Sequence, residues 1–209
     1  MMIEFNEYFL VEGKAMGSLA RTIKQTYTYE DYLTWPDDER WEIIDGEAYA
    51  MTPAPTTRHQ RIIGHIFTQF HQFFRGKQCE PFIAPTDVVL DEQNIVQPDI
   101  LVVCDPEKIT GKNIQGTPDL IIEVLSPATS VKDRREKKRL YERFGVSEYI
   151  IIDPFGEAAE RFTLVEGRYA ASDIVNWDEL FQSSAFPELQ LPLWEVFGKE
   201  LPTVESSLP

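Results

Sequence analysis

Two short apolar runs in the middle of the chain each carry one carboxylate, and a strongly basic stretch follows the second run. The first run is PDILVV at 98–103, and the second is PDLIIEVLS at 118–126. Short runs this rich in Val, Ile and Leu predict buried β-strands. The basic stretch at 130–144 has the residue spacing of a helix. Two acids on strands and a lysine on a helix are groups that metal-dependent cleavage of a phosphodiester requires.

The two acids are not equally strong evidence for a functional site. Glu123 interrupts the run LIIEVL, where an unpaired buried carboxylate would be costly. Asp99 opens its strand directly after a proline, which is also common turn chemistry. If the two strands are neighbours, both acids can bind one ion, and magnesium suits carboxylate oxygens. A glutamate at a solvated strand end, or in a structural ion pair, is the alternative for Glu123.

The lysine of the site is expected from the helix, because position 125, two residues after Glu123, is Leu. The inward stripe of the helix includes Tyr141, and steps of four residues back from it reach Lys137 and then Asp133. Lys137 is therefore predicted to point towards the acids, with Asp133 orienting it. A lysine whose stem packs on the core while its amine turns outward is the alternative. The other basic side chains are assigned to the DNA backbone or to solvent.

Charge limits how such a protein can approach a polyanion. The formal net charge is −15, which argues against broad phosphate binding over the whole surface. Residues 131–143 nevertheless hold seven Lys or Arg against three Asp or Glu. The sequence therefore predicts at most a local basic surface.

Two features of the sequence bear on the cellular location, the lack of a long apolar run and the use of cysteine. No apolar run approaches the ~20 residues of a membrane span, so no membrane association is expected. Cys79 and Cys104 lack metal-ligand spacing and are predicted to be buried thiols in a reducing compartment. A cytoplasmic location is therefore expected.

The remaining pattern predicts one mixed α/β domain over 26–197, with an N-terminal arm at 1–25 and a flexible tail at 198–209. The predicted elements are a β-hairpin at 41–51 that turns at Asp45-Gly46, a helix at 57–74, strands at 82–90, 99–104, 119–125 and 148–154, and a hairpin at 161–174.

Several motifs together resemble one known family, the Uma-two family of restriction endonucleases in the PD-(D/E)XK nuclease superfamily. The resemblance covers about residues 28–195. The matching segments are Trp41 to Glu47, Pro53 to His59, Pro98-Asp99, Glu123 to Thr129, Asp133, Lys137, Tyr141, Gly145-Val146 and Glu148 to Pro154. The resemblance implies a restriction-endonuclease-like core, a mixed central sheet flanked by helices, with an added N-terminal hairpin. It also implies bound Mg²⁺, for which Mn²⁺ can substitute, a DNA substrate and a homodimer.

Site residues follow from the same resemblance. Asp99 and Glu123 would be metal ligands, with the Val124 carbonyl as a possible third, and Lys137 would be the superfamily's lysine. Glu42 would be the acidic residue of the first motif and a further metal ligand. Leu125 departs from the superfamily's pattern, which usually has the lysine there.

Two further positions stay open. Glu47 lies across the hairpin turn from Glu42 and is a candidate to replace it. His59 is a candidate phosphate contact or general base, although a capping or surface role is the commoner one. His65 and His71 are expected to be structural.

The sequence leaves three hypotheses for function. The first is a Mg²⁺-dependent DNA endonuclease. The second is an inactive nuclease-fold protein that binds nucleic acid or a protein partner. The third is a metal-dependent enzyme acting on a small phosphorylated substrate.

Overall fold

The part of the chain that the structure describes forms a mixed α/β fold whose strands fall into three sheets. The computed structural model describes residues 26–36, 38–51 and 55–201, and the predicted arm at 1–25 lies outside them, as do residues 202–209 of the predicted tail. The strands are β1 Trp41–Ile44, β2 Glu47–Ala50, β3 Glu80–Ile83, β4 Val88–Asp91, β5 Asn94–Val96, β6 Ile100–Val103, β7 Ile114–Gln115, β8 Leu120–Val124, β9 Glu148–Asp153, β10 Ala158–Val165, β11 Arg168–Tyr169, β12 Asp173–Asn176, β13 Leu180–Gln182 and β14 Gln190–Pro192. The helices are α1 Tyr29–Tyr32, α2 Thr57–Phe74, α3 Ser130–Lys132, α4 Lys138–Phe144 and α5 Leu193–Val196, with a 3-10 turn at Pro106–Lys108.

The central sheet carries both of the acid-bearing strands and places them side by side. Its order is β11-β10-β9-β8-β6-β3, and β12 pairs with β10. Strands β6 and β8 are antiparallel, whereas β8 and β9 are parallel and are joined through the basic stretch. The predicted mixed sheet is confirmed.

A second sheet contains the predicted N-terminal hairpin. Its order is β2-β1-β5-β4-β7. Asp45 and Gly46 occupy the turn with φ of 52° and 76°, a left-handed conformation that suits the Asp-Gly pair. The predicted hairpin is thus confirmed, and β1 is hydrogen-bonded to β5 in the interior of this sheet.

Helices cover the two faces of the central sheet. The predicted helix at 57–74 is confirmed as α2. Its apolar stripe packs on one face of the sheet; the buried members of this stripe are Ile62, Ile63, Ile66, Phe70 and Phe74. On the opposite face, Leu140 and Tyr141 of α4 pack against Leu101 and Ile121. Since successive strand residues point to opposite faces, Glu123 shares the face of Ile121.

The predicted strand at 82–90 is wrong, because the chain changes sheets within it. β3 pairs with β6 in the central sheet, whereas β4 pairs with β5 and β7 in the second sheet. Residues 84–87 join them and include a cis Ala84-Pro85 peptide bond. Pro85 has no backbone N–H to give to a sheet, so an uninterrupted central strand is disfavoured at this point.

The prediction of two free thiols is also wrong. Cys79 and Cys104 form a disulfide across the end of the β3–β6 pair. The register pairs Glu80 with Val103, so the next pair along is the two cysteines. A spacing of 25 residues does not reveal this pairing, because only the long-range register of the strands creates it.

The predicted location loses its argument from thiols, because the cysteines are paired. None of the helices within residues 26–36, 38–51 and 55–201 has the length and apolar character of a membrane span. The cytoplasmic location stays a prediction.

Candidate active site

Asp99 and Glu123 lie next to each other on the central sheet. The antiparallel register pairs Ile100 with Ile122, and its continuation by one pair sets Asp99 opposite Glu123. Residues directly opposite each other point to the same face. The backbone N–H of Val124 donates to Asp99 Oδ2 at 2.8 Å, which fixes the aspartate at this end of the strand pair.

Lys137 reaches Glu123 from the basic stretch, as its helical position predicted. Its Nζ lies 2.8 Å from Glu123 Oε1 and 2.7 Å from Glu42 Oε1. Tyr141 donates its hydroxyl to the same Glu123 oxygen at 3.0 Å. All four side chains are buried, and Lys137 is only 3% exposed. The lysine therefore serves as an internal counter-ion for two carboxylates.

Leu125 explains why the helix supplies this lysine. It lies two residues after Glu123, is 4% exposed, and packs in the apolar cluster of Leu140 and Tyr141. A charged side chain there would displace part of the core.

Glu42 enters the site from the second sheet. It is fully buried, and its Oε1 also accepts from the backbone N–H of Gln97 at 3.1 Å. Burial disfavours the ionised form, but Lys137 and Lys132 together lower the pKa of Glu42 to about 2. Glu42 is thus ionised at neutral pH and paired on both oxygens.

Lys132 is the site residue that the sequence argument missed. Its Nζ lies 2.5 Å from Glu42 Oε2, on the other side of that carboxylate from Lys137. In an α-helix, residues five apart differ by about 140° around the axis, which would place Lys132 well away from Lys137.

A π-turn removes that difference. Residues Asp133–Lys137 form a π-helical turn between α3 and α4. In such a turn the hydrogen bonds join residues five apart, so Lys132 and Lys137 come to the same side of the helix. Both amines can then reach one carboxylate.

The site contains more acidic than basic side chains. The site contains four carboxylates, those of Glu42, Asp99, Glu123 and Asp133, and two ammonium groups, which leaves two negative charges when all six are ionised. Burial raises the pKa of Glu123 to about 8; Asp133, Asp99 and Glu42 add to this rise, and Lys137 opposes it. Burial also raises the pKa of Asp133. Its Oδ1 lies 3.9 Å from Lys137 Nζ and has no hydrogen-bond partner among the residues that the structure describes.

His59 contacts Asp99 from helix α2. Its Nε2 lies 2.8 Å from the Val124 carbonyl oxygen and 3.4 Å from Asp99 Oδ2. Burial lowers the pKa of His59, but the contact with Asp99 outweighs burial and raises it. His65 contacts the Val196 carbonyl from the same helix, away from the acids, as a structural histidine would.

The remaining basic residues of the helix are mostly engaged in contacts within the chain. Arg134 pairs with Glu160, Lys138 lies over the Phe162 ring, and Arg143 pairs with Asp45. Within the described residues, Arg135 and Arg139 are exposed and form no ion pair with an acid. The predicted basic surface is therefore smaller than the sequence suggests.

A magnesium ion fits the chemistry of two of these acids. In residues 26–36, 38–51 and 55–201, no group of three or more His, Cys, Asp or Glu side chains is arranged to hold a metal ion. Magnesium, however, is commonly bound by one or two carboxylates together with water and substrate phosphate. Both hydrogen bonds to Glu123 fall on Oε1, and the contacts of Asp99 fall on Oδ2. One oxygen of each acid thus has no such partner in the described part of the chain.

The choice between Glu42 and Glu47 can be tested by a matched pair of substitutions. Glu47 is exposed and accepts a hydrogen bond from the Tyr49 hydroxyl, whereas Glu42 forms ion pairs with both lysines. We expect Glu42→Gln to lower nuclease activity about 10–100-fold, because its loss of charge releases both amines. Glu47→Gln should leave the activity unchanged. Equal activities of the two variants in plasmid nicking would contradict the assignment of Glu42.

The fold and the family relationship define the protein class. The structure resembles the crystal structure of a "putative nuclease belonging to DUF820" from Anabaena variabilis, with a TM-score of 0.68 and 19% identity. The match covers 82% of this chain and 97% of that one. At this level of identity the likeness establishes the fold, which is nuclease-like.

The family itself follows from the sequence match. Residues 29–193 match the Uma2 family, described as "Putative restriction endonuclease". The chain belongs to the Uma2 family, and the predicted family is confirmed. An uncharacterized protein of Synechocystis is 36% identical over 117 residues, or 54% of this chain. The match spans 60% of the length of that relative.

Proposed function

We propose that this protein is a Mg²⁺-dependent DNA endonuclease. The observation that carries the proposal is the placement of Asp99 and Glu123 on adjacent strands, with the Lys137 amine 2.8 Å from Glu123. The family relationship and the nuclease-like fold support the reaction class. Neither the carboxylate pair nor the lysine is required by the packing of an ordinary apolar core.

In this proposal Asp99 and Glu123 hold the ion, with the Val124 carbonyl as a further oxygen. A bound Mg²⁺ would neutralise charge on the phosphate and lower the pKa of an attacking water. It would also offset the two excess negative charges of the acids. Glu42, proposed earlier as a third ligand, instead has both oxygens on lysines, so we assign it to positioning those amines.

Lys137 acts as a fixed positive charge rather than as a general base. Burial opposes its protonation, but Glu123, Glu42 and Asp133 raise the pKa of Lys137 well above its usual range. An amine that keeps its proton cannot accept one from water at neutral pH. Its role is to lower the pKa of Glu123 and Glu42 and to hold their carboxylates in place.

DNA is the substrate that the family relationship favours. In this proposal the exposed Arg135 and Arg139 of the basic helix are the candidates for contacts with backbone phosphates. The homodimer implied by the family resemblance stays a prediction, which light scattering on the purified protein can test.

The test of the proposed function is nicking of supercoiled plasmid by the purified protein. We expect nicking with Mg²⁺ or Mn²⁺, none with EDTA, and none by Glu123→Gln. A generic phosphodiester, such as bis(p-nitrophenyl) phosphate, assayed in parallel separates a DNA enzyme from one acting on small substrates. Equal nicking by the wild type and Glu123→Gln would contradict the proposal.

A binding function without catalysis is the second candidate. It is favoured by one observation, which is that lysine amines already occupy both oxygens of Glu42 and one of Glu123. If the site needs no metal, calorimetric titration with Mn²⁺ will show no binding. Binding that disappears in Glu123→Gln would argue against this candidate.

A further inference from the structure

Lys132 and Lys137 share Glu42, yet the two amines differ in what else they can contact. Lys137 has three carboxylates within 4 Å, those of Glu42, Glu123 and Asp133. An ammonium group has three N–H donors, and the Lys137 side chain is only 4% exposed. Lys137 is therefore enclosed by groups of the protein and has little access to a substrate.

Lys132 stands at the outer edge of the same cluster. Its side chain is 18% exposed, and within the described residues Glu42 is its one carboxylate partner. The neighbouring Val131 is 61% exposed, which shows that the basic helix begins at the surface. The ring of Tyr49 lies 5.4 Å from Lys132 Nζ and flanks the amine without using a hydrogen-bond donor.

We propose that Lys132, rather than Lys137, is the lysine that contacts the phosphate group of the substrate. This inference rests on the proposed function and adds a catalytic residue to it. Glu42 anchors the amine from the protein side, and the 18% exposure of the Lys132 side chain leaves the amine accessible to a phosphate. The π-turn supplies the geometry, because a regular α-helix would carry Lys132 away from Glu42.

The charge balance supports this division of roles. Lys137 compensates the inner acids, Glu123 and Asp133, whereas the one carboxylate that pairs with Lys132 in the described part of the chain is Glu42. In a strongly acidic protein, a cation at the opening of the site reduces the repulsion of an incoming phosphate. A fixed amine near the phosphate also stabilises the negative charge that develops during cleavage.

Three variants of Lys132 and one control test the assignment. We expect Lys132→Met to lower the plasmid-nicking rate about a hundredfold, and Lys132→Arg to recover much of that loss because it keeps the charge. Lys132→Gln should behave like Lys132→Met while keeping a polar end. Lys138→Met is the control, because it removes the same charge from the flank of the helix, where the amine lies over Phe162.

Salt dependence separates a phosphate contact from a structural role. Binding of fluorescent duplex DNA is measured by anisotropy in Ca²⁺ at several salt concentrations, a measurement that does not need cleavage. If Lys132 contacts a phosphate, Lys132→Met should reduce the slope of log affinity against log salt by about one. Urea unfolding of each variant verifies that it is folded.

The outcomes distinguish this inference from the proposed function. A lower slope together with lost nicking supports the role of Lys132. An unchanged slope in folded Lys132→Met and Lys132→Gln, or the absence of any duplex binding by the wild type, overturns it. A wild type that never nicks DNA overturns the endonuclease proposal, while the salt slope still decides whether Lys132 contacts phosphate.

Discussion

Asp99→Asn is expected to lower the rate of Mg²⁺-dependent plasmid nicking by at least about a hundredfold. Loss of a residue that supports a metal ligand lowers activity by up to about a hundredfold, and loss of the ligand itself should lower it at least as much. An asparagine oxygen can still accept from the Val124 N–H, so the local backbone contact is preserved. The substitution removes the negative charge, and an NH₂ group replaces the oxygen that would face the cation. The measurement is the nicking rate at saturating Mg²⁺, with thermal unfolding recorded beside it.

The chain offers a matched control for this substitution. Asp119 also follows a proline at the start of a strand, and its Oδ2 accepts from the Cys104 N–H at 2.8 Å. Because β6 and β8 are antiparallel, the two Pro-Asp pairs make equivalent contacts at opposite ends of the same strand pair. Asp119→Asn should therefore keep its backbone contact as Asp99→Asn does, but retain the wild-type nicking rate. Equal loss of nicking in both variants would mean that Asp99 acts only through the backbone.

Lys137→Met is expected to lower the free energy of unfolding by about 3–5 kcal/mol at neutral pH. Methionine fills the space of the lysine stem but leaves Glu123 and one oxygen of Glu42 buried without a counter-ion. Glu123, whose pKa is already raised, takes up a proton in this variant. The loss of unfolding free energy is therefore smaller than the full penalty for a buried charge. Urea unfolding monitored by circular dichroism gives the free energy.

Two variants show whether the loss comes from the buried charges. Arg139→Met lies on the same helix at an exposed position and should change the free energy of unfolding by less than about 0.5 kcal/mol. Lys137→Met combined with Glu123→Gln should recover stability, because the carboxylate without a partner is then absent. If Lys137→Met costs no more than Arg139→Met, the ion pairs do not stabilise the fold.

Much of the fold could be predicted because its signals are local. The spacing of Ile and Phe residues in 57–74 encodes one face of α2, and Asp45-Gly46 encodes a tight turn. The apolar runs around Asp99 and Glu123 became β6 and β8. Each of these signals is contained in a few consecutive residues and depends little on the rest of the chain.

The failed predictions concern distant parts of the chain. The cysteine pair depends on the register of β3 against β6, and the split of 82–90 depends on which sheet each half joins. Hairpin geometry alone could not choose between Glu42 and Glu47. The structure shows Glu42 buried beside the lysines because β1 also pairs with β5.

The two acidic strands and the basic helix were therefore determined by the sequence itself, through residue types and regular spacing. Helical phase also identified Lys137, because the chain from Lys138 to Tyr141 is regular α-helix. The tertiary structure alone decided that Lys132 joins the site. Its position depends on one π-turn, which changes the phase of every residue before it and which no regular period of 3.6 residues predicts.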